Sequence, residues 1–232
     1  MSEGSYRQFC PVAMAAEILC TRWTMLILRE LMAGSTRFNE LRRGAPRMSP
    51  ALLSQRLKEL EAADVVCRRP SQSDSGVMEY HLTDAGRELE PVLMALGKWG
   101  HKWIAPELAL DQLDASLLMW DVRRRIDPQP LPHRRNVVQV QFPEQTSAKR
   151  FWWLLIEPQY GVDLCYRDPG FDVDLYITAD LKTMTAVWMG YESVASAVRG
   201  DRLVFTGDRA LAASVERWLG RSAFAPAMAE AV

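Results

Sequence analysis

Between Arg37 and Leu60 the chain reads RFNELRRGAPRMSPALLSQRLKEL, two helical stretches separated by one short break. Few arrangements fit such a stretch. Gly44-Ala45-Pro46 must end the first helix, because proline cannot donate a backbone hydrogen bond and disfavours a helical residue before it. Ser49-Pro50 then starts a second helix. Serine is a favoured N-cap, and proline suits the first helical position, where its missing N–H would be unpaired anyway. From that start Leu53, Leu57 and Leu60 recur at i, i+4 and i+7 as an apolar stripe. Ala51, Ser54, Gln55 and Lys58 lie on the opposite face. A short helix, a tight turn and a well-capped helix predict a helix-turn-helix.

The charge of this stretch points the same way. Arg37 to Lys58 holds six Lys/Arg residues (Arg37, Arg42, Arg43, Arg47, Arg56 and Lys58) against the single acid Glu40, in a chain whose formal net charge is −1. A basic run is most often a solvated face. Here the charge is nearly one-signed and borders small polar residues on the outward face of a capped helix. Small residues permit close approach to base edges, while Arg and Lys neutralise phosphates. The DNA-binding candidates are therefore Arg37, Arg42, Arg43, Ser49, Ala51, Ser54, Gln55 and Lys58, joined by Arg68 and Arg69 beyond the motif.

The flanks complete a winged helix. Pro11 to Cys20 and Thr24 to Met32 read as helices at helical apolar spacing. Val65 to Arg69 and Met78 to Leu82 read as short strands joined by the polar turn PSQSDSGV. Thr83-Asp84 then caps a long helix to about Ile104, with Leu89, Val92, Leu93, Leu96, Trp99 and Trp103 on one face. That seam is too wide for a lone surface helix and predicts a homodimer. Cys10 precedes Pro11 at a helix start, where amide dipoles lower a thiol pKa, and is a redox candidate. Cys20, Cys67 and Cys165 lie among apolar residues and read as packing.

These pieces, in order, resemble the HxlR family of bacterial winged-helix transcriptional regulators: the CPV start, RWTMLILREL, RFNELRR, SPALLSQRLKELE and YHLTDAGREL. The resemblance spans about Cys10 to Trp103 and implies a homodimer bound to double-stranded operator DNA. It also implies that a cysteine at the place of Cys10 can sense oxidants or electrophiles. The wing departs from the pattern, since its tip SQSDSG is acidic rather than basic.

The remainder is read more coarsely. Residues 105–135 read as a helical linker, ending in the Pro-rich DPQPLPHRRN. Val137 to Phe142, Val162 to Arg167, Val173 to Thr178 and Leu203 to Thr206 are strand-like, and Ser147 to Ile156 is either helical or extended. Leu181 to Met189, Ser193 to Val198 and Ala210 to Leu219 are helical. Strands with segregated helices suggest an α+β domain. The stretch FDVDLYITADLKTMTAVWMGYESVASAVRGDRLVFTG, with the helix after it, is similar to the C-terminal part of sterol-carrier-type lipid-transfer domains. The resemblance implies an apolar tunnel between sheet and helices. Trp153, Tyr176, Trp188 and Phe205 are the expected lining, as large side chains on the elements that would face inward.

The expected fold is thus multidomain: a winged helix-turn-helix at 1–104, the linker at 105–135, and an α+β sterol-carrier-like domain at 136–232. The expected function is a dimeric DNA-binding regulator on a near-palindromic operator, responding to a small apolar ligand or to oxidation. The rival reading is a lipid or small-molecule carrier, or an enzyme, built on the C-terminal domain. That half offers no Ser/His/Asp or Cys/His arrangement and no phosphate-binding glycine loop, which argues against catalysis. The four cysteines are scattered, and His81, His101 and His133 have no ligand-like spacing, so no metal site or cofactor is expected. No apolar run reaches membrane-spanning length and no secretory signal precedes the fold, so a cytoplasmic protein without membrane contact is expected.

Overall fold

The structure, a computed structural model, describes residues 5–104 and 113–226. They divide into two compact units between Leu96 and Gly97.

In the first unit the chain runs α1 (Pro11–Leu19), α2 (Thr24–Met32), α3 (Phe38–Gly44), α4 (Pro50–Ala62), β1 (Val66–Pro70), β2 (Met78–Leu82), α5 (Asp84–Arg87), and into α6 (Glu90–Trp103). Ile27, Leu28 and Leu31 of α2, Leu41 of α3, and Leu53, Leu57 and Leu60 of α4 are buried. The stripe on α4 is therefore the face that packs. Ser49 caps α4 by accepting from the Leu52 amide at 3.3 Å. β1 and β2 pair antiparallel, with Arg68 opposite Tyr80 and Cys67 opposite His81.

One expected element is divided. The helix foreseen from Asp84 to Ile104 is interrupted at Glu88-Leu89, giving α5 and α6. Thr83 caps α5, accepting from the Gly86 amide at 3.1 Å. Pro91 explains the break: it has no N–H to offer the carbonyl of Arg87, and its ring disfavours a helical backbone before it.

The second unit continues with α7 (Ala115–Arg125), β3 (Asn136–Gln141), α8 (Ser147–Arg150), β4 (Phe151–Glu157), β5 (Gly161–Cys165), β6 (Leu175–Ala179), α9 (Leu181–Met189), α10 (Val194–Arg199), β7 (Leu203–Gly207), α11 (Arg209–Ala213) and α12 (Val215–Trp218). The strands form one five-stranded sheet in the order β5-β4-β3-β6-β7. Only the central β3–β6 pair is parallel. β4 resolves the ambiguous stretch: four residues are helical and the rest is strand. The final helix is split at Ser214, whose hydroxyl donates to the carbonyls of Ala210 and Leu211 at 2.8 and 3.2 Å. Such back-bonding bends or breaks a helix.

The stretch read as a linker has a different place. Residues 105–112 lie outside the described residues. Beyond them, α7 puts Leu118, Met119 and Val122 into the same core as Val138, Val140, Leu154, Ile177, Met184 and Trp218. Its N-cap, Asp114, also takes an ion pair from Lys149 at 3.0 Å. Two further acids of this unit brace its elements. Asp180 caps α9 by accepting from the Thr183 amide at 2.7 Å. Asp174 accepts from the Val137 amide at 2.8 Å and pairs with Arg134 at 2.9 Å.

Candidate nucleic-acid interface

The second helix of the motif presents the face foreseen for it. With its leucines buried, α4 leaves Ala51, Gln55 and Lys58 exposed, while Ser54 is half-buried. Arg42 and Arg43 are exposed at the end of α3, and Arg68 and Arg69 on β1. Arg68 lies over the ring of its cross-strand partner Tyr80, 6.0 Å from the centroid. Gln55 donates to Glu59 at 3.0 Å, so its amide runs along the helix. Ser54, Lys58 and Arg68 line a hollow of about 380 Å³ with Gly76, Met78 and Tyr80, where the recognition helix meets the wing.

Arg37 does something else. Its guanidinium pairs with Asp74 at the wing tip and with Glu79 at 3.5 Å, and donates to the Ser73 hydroxyl at 3.3 Å. The acidic tip that departs from the family pattern thus holds the first residue before α3. Arg37 thereby clamps motif to wing. The Tyr80 amide adds to it, donating to the Thr36 carbonyl at 2.8 Å. The hydroxyl of Ser71, then His81 and Arg37, hold the Glu79 carboxyl below its ordinary value against the opposing effect of burial. Arg56 likewise pairs with Glu59 one turn on.

One supporting feature was missed in the sequence. Glu30 is fully buried in α2. Arg29 holds its carboxylate at 2.8 Å and also donates to the carbonyl of Gly44 at 2.8 Å, which fixes the end of α3. Gly44 has to be glycine: a Cβ there would sit 1.8 Å from the Glu30 carboxyl carbon. A buried acid beside an arginine, followed by a glycine ending the next helix, was the available signal. It reads as ordinary surface charge until the helices are packed together.

Cys10 is half-buried, and the amides of Ala13, first, and Val12 lower its thiol pKa, as expected of a helix N-terminus. Cys20, by contrast, is exposed at the end of α1 rather than packed. Cys67 and Cys165 are half-buried.

The four expected lining residues do not converge. Trp188 and Phe205 belong to the core between sheet and helices. On β4 that core takes Trp152, Leu154 and Ile156, and on β6 Leu175, Ile177 and Ala179. Successive strand residues face opposite ways, so Trp153 and Tyr176 lie on the other side of the sheet, both opposite Gln139 in the register. The run FWWLLI is apolar throughout and hides which parity faces the core.

A model of the HxlR-like helix-turn-helix matches residues 18–108. YvaP of Bacillus subtilis, described as an uncharacterized HTH-type transcriptional regulator, is 42% identical over 100 residues, covering 43% of this chain and 93% of that protein. The chain belongs to the HxlR-like helix-turn-helix family. YdeP of the same organism, described in the same words, is 35% identical over 107 residues, covering 46% of this chain and 81% of YdeP. Among solved structures, the reduced form of the transcriptional regulator YodB from B. subtilis is 34% identical and covers 43% of this chain and 98% of that one, with a TM-score of 0.37. The family match accounts for the arrangement of α2 to β2, and the chain is a transcriptional regulator of HxlR type. Each of these three relatives covers less than half of it.

Proposed function

We propose that this HxlR-type regulator binds a near-palindromic DNA operator as a homodimer, reading bases with α4 and phosphates with the arginines around it. The observation that carries the DNA contact is the exposed row Ala51, Gln55, Lys58, flanked by Arg42 and Arg43 on α3 and by Arg68 and Arg69 on the wing. Small and amide side chains suit a base edge, and the flanking cations suit the backbone. The dimer reading rests on helices left uncovered. α1 has no buried residue, and Phe9 and Val12 are 97% and 76% exposed. Along α6, Val92, Leu96, Trp99 and Trp103 are all exposed at i, i+4, i+7 and i+11, one face of a helix. Contiguous apolar surface of this kind is covered in solution, and a second copy does so symmetrically.

The second unit, similar to sterol-carrier-type domains, is read as the sensor of a small apolar ligand. Cys10, with its lowered thiol pKa, is read as a second input through oxidation. The acids named in the second unit cap and brace its elements.

Gel-shift titration against the protein's own promoter tests the DNA reading. Gln55→Ala is expected to relax base choice at a cost of about 1–3 kcal/mol. Arg42→Ala is expected to weaken binding to every sequence and to flatten the salt dependence by about one unit. Unchanged affinity in both variants would remove the recognition face from α4.

A further inference from the structure

The expected lining residues fall on two sides of the sheet, yet the second unit carries an open cleft elsewhere, of about 680 Å³. The last turns of α6 form one wall through Lys98, His101 and Lys102. Tyr191, after α9, and the segment Phe224 to Pro226 form the other. The volume lies in the range of sites that enclose small organic ligands.

The chemistry of this cleft is specific. Its walls present flat rings: His101 and Tyr191 stack in parallel, with centroids 4.7 Å apart and planes within 3°. Phe224 lies directly on α6, against Gly97, where an added Cβ would meet the ring at 2.2 Å. A glycine in mid-helix costs about 1 kcal/mol relative to alanine, and here it admits a ring to the helix surface. Among the described residues the lining has two lysines one turn apart, both exposed, and no carboxylate. An apolar, ring-walled cleft with two lysines at its rim complements a flat apolar body carrying one negative charge.

We propose that this cleft binds an aromatic carboxylate, its rings between the His101–Tyr191 stack and Phe224 and its carboxylate at Lys98 and Lys102. The inference rests on the reading of the second unit as a ligand sensor and moves the site away from the core. Lys98 and Lys102 lie off the exposed seam of α6, while Trp103, at the end of that seam, also lines the cleft.

The test is calorimetric titration of the full chain with naphthoate and with naphthylmethanol, its uncharged counterpart. Naphthoate is expected to bind saturably, and at least roughly tenfold more tightly than the alcohol. Replacing both lysines (Lys98→Gln with Lys102→Gln) should remove that preference and leave the alcohol's affinity unchanged. Ala225→Trp should fill the cleft and abolish binding of both. The lysine pair is exposed, so that variant tests the idea even if the tryptophan variant fails to fold. Equal affinity for acid and alcohol would overturn the proposal. So would naphthoate binding that both variants leave intact, which would still leave a ligand-binding second unit. No binding of either probe would overturn the proposal together with the sensor reading.

Discussion

The two units of this chain differ in how completely each buries itself. In the second, one continuous buried cluster runs from Ala115 to Leu219, and every strand and every helix from α9 on except α10's outer residues contributes to it or packs on it. In the first, α2, α3 and α4 close a small core, while α1 buries nothing and α6 only Leu93. The second unit is finished by its own long-range contacts. The first leaves apolar helix faces and a cationic face open, each of which calls for a partner of different chemistry. The proposed function uses this division: one part is complete, and the other leaves surfaces that DNA and a second copy would cover.

The sharpest way to break the comparison is in the second core. Trp218 is fully buried, and its indole N–H donates to the Leu211 carbonyl at 3.0 Å. Trp218→Ala is expected to cost about 3–5 kcal/mol. If each unit folds on its own core, calorimetry will show one transition moving down and the other staying in place. A single shared transition that shifts as a whole would show that neither unit is complete alone.

Trp99→Glu addresses the open face. Charge at the centre of the α6 seam should convert a dimer into a monomer in sedimentation at micromolar concentration, with weakened operator binding; because Trp99 is exposed, the second unit to which it belongs should melt little differently. A wild-type chain that sediments as a monomer would leave the uncovered face unexplained.

Ser49→Ala removes the cap of α4 and should cost about 1 kcal/mol, read as a lower denaturation midpoint of the first unit alone.

The smallest effect concerns the clamp between wing and motif. The Glu79 carboxyl is held below its ordinary value of 4.5, so its contribution is complete above that pH. It is lost as the pH falls through the lowered value of the folded state. The protection of the Tyr80 amide, taken relative to its intrinsic exchange rate at each pH, should therefore hold at neutral pH and fall on acidification below 4.5. Ser71→Ala should bring that onset to higher pH, because the Ser71 hydroxyl is the largest cause of the shift.

Legibility followed the range of the interactions. Ser49-Pro50, Thr83 and the leucine stripe of α4 act within a turn or two of themselves, and each sits where the sequence placed it. Pro91 was equally local, but the regular apolar spacing around it hid the break it causes. The basic run was legible as charge and not as contacts. Whether an arginine faces solvent or a neighbour depends on which acid folding brings near, and Asp74 lies 37 positions from Arg37.

The amino-acid sequence by itself determined most of the order of helices and strands, the caps Ser49 and Thr83, the exposed polar face of α4 and the family, because those rest on periodicity and on residues a few positions apart. Only the tertiary structure decided that Arg37 clamps the wing, that Glu30 is buried against Gly44, that α7 belongs to the second core, and that Trp153 and Trp188 lie on opposite sides of the sheet. Each of these depends on strand parity or on pairing across distant positions. A continuous apolar run or an isolated charge carries no mark of its partner until the chain has closed around it.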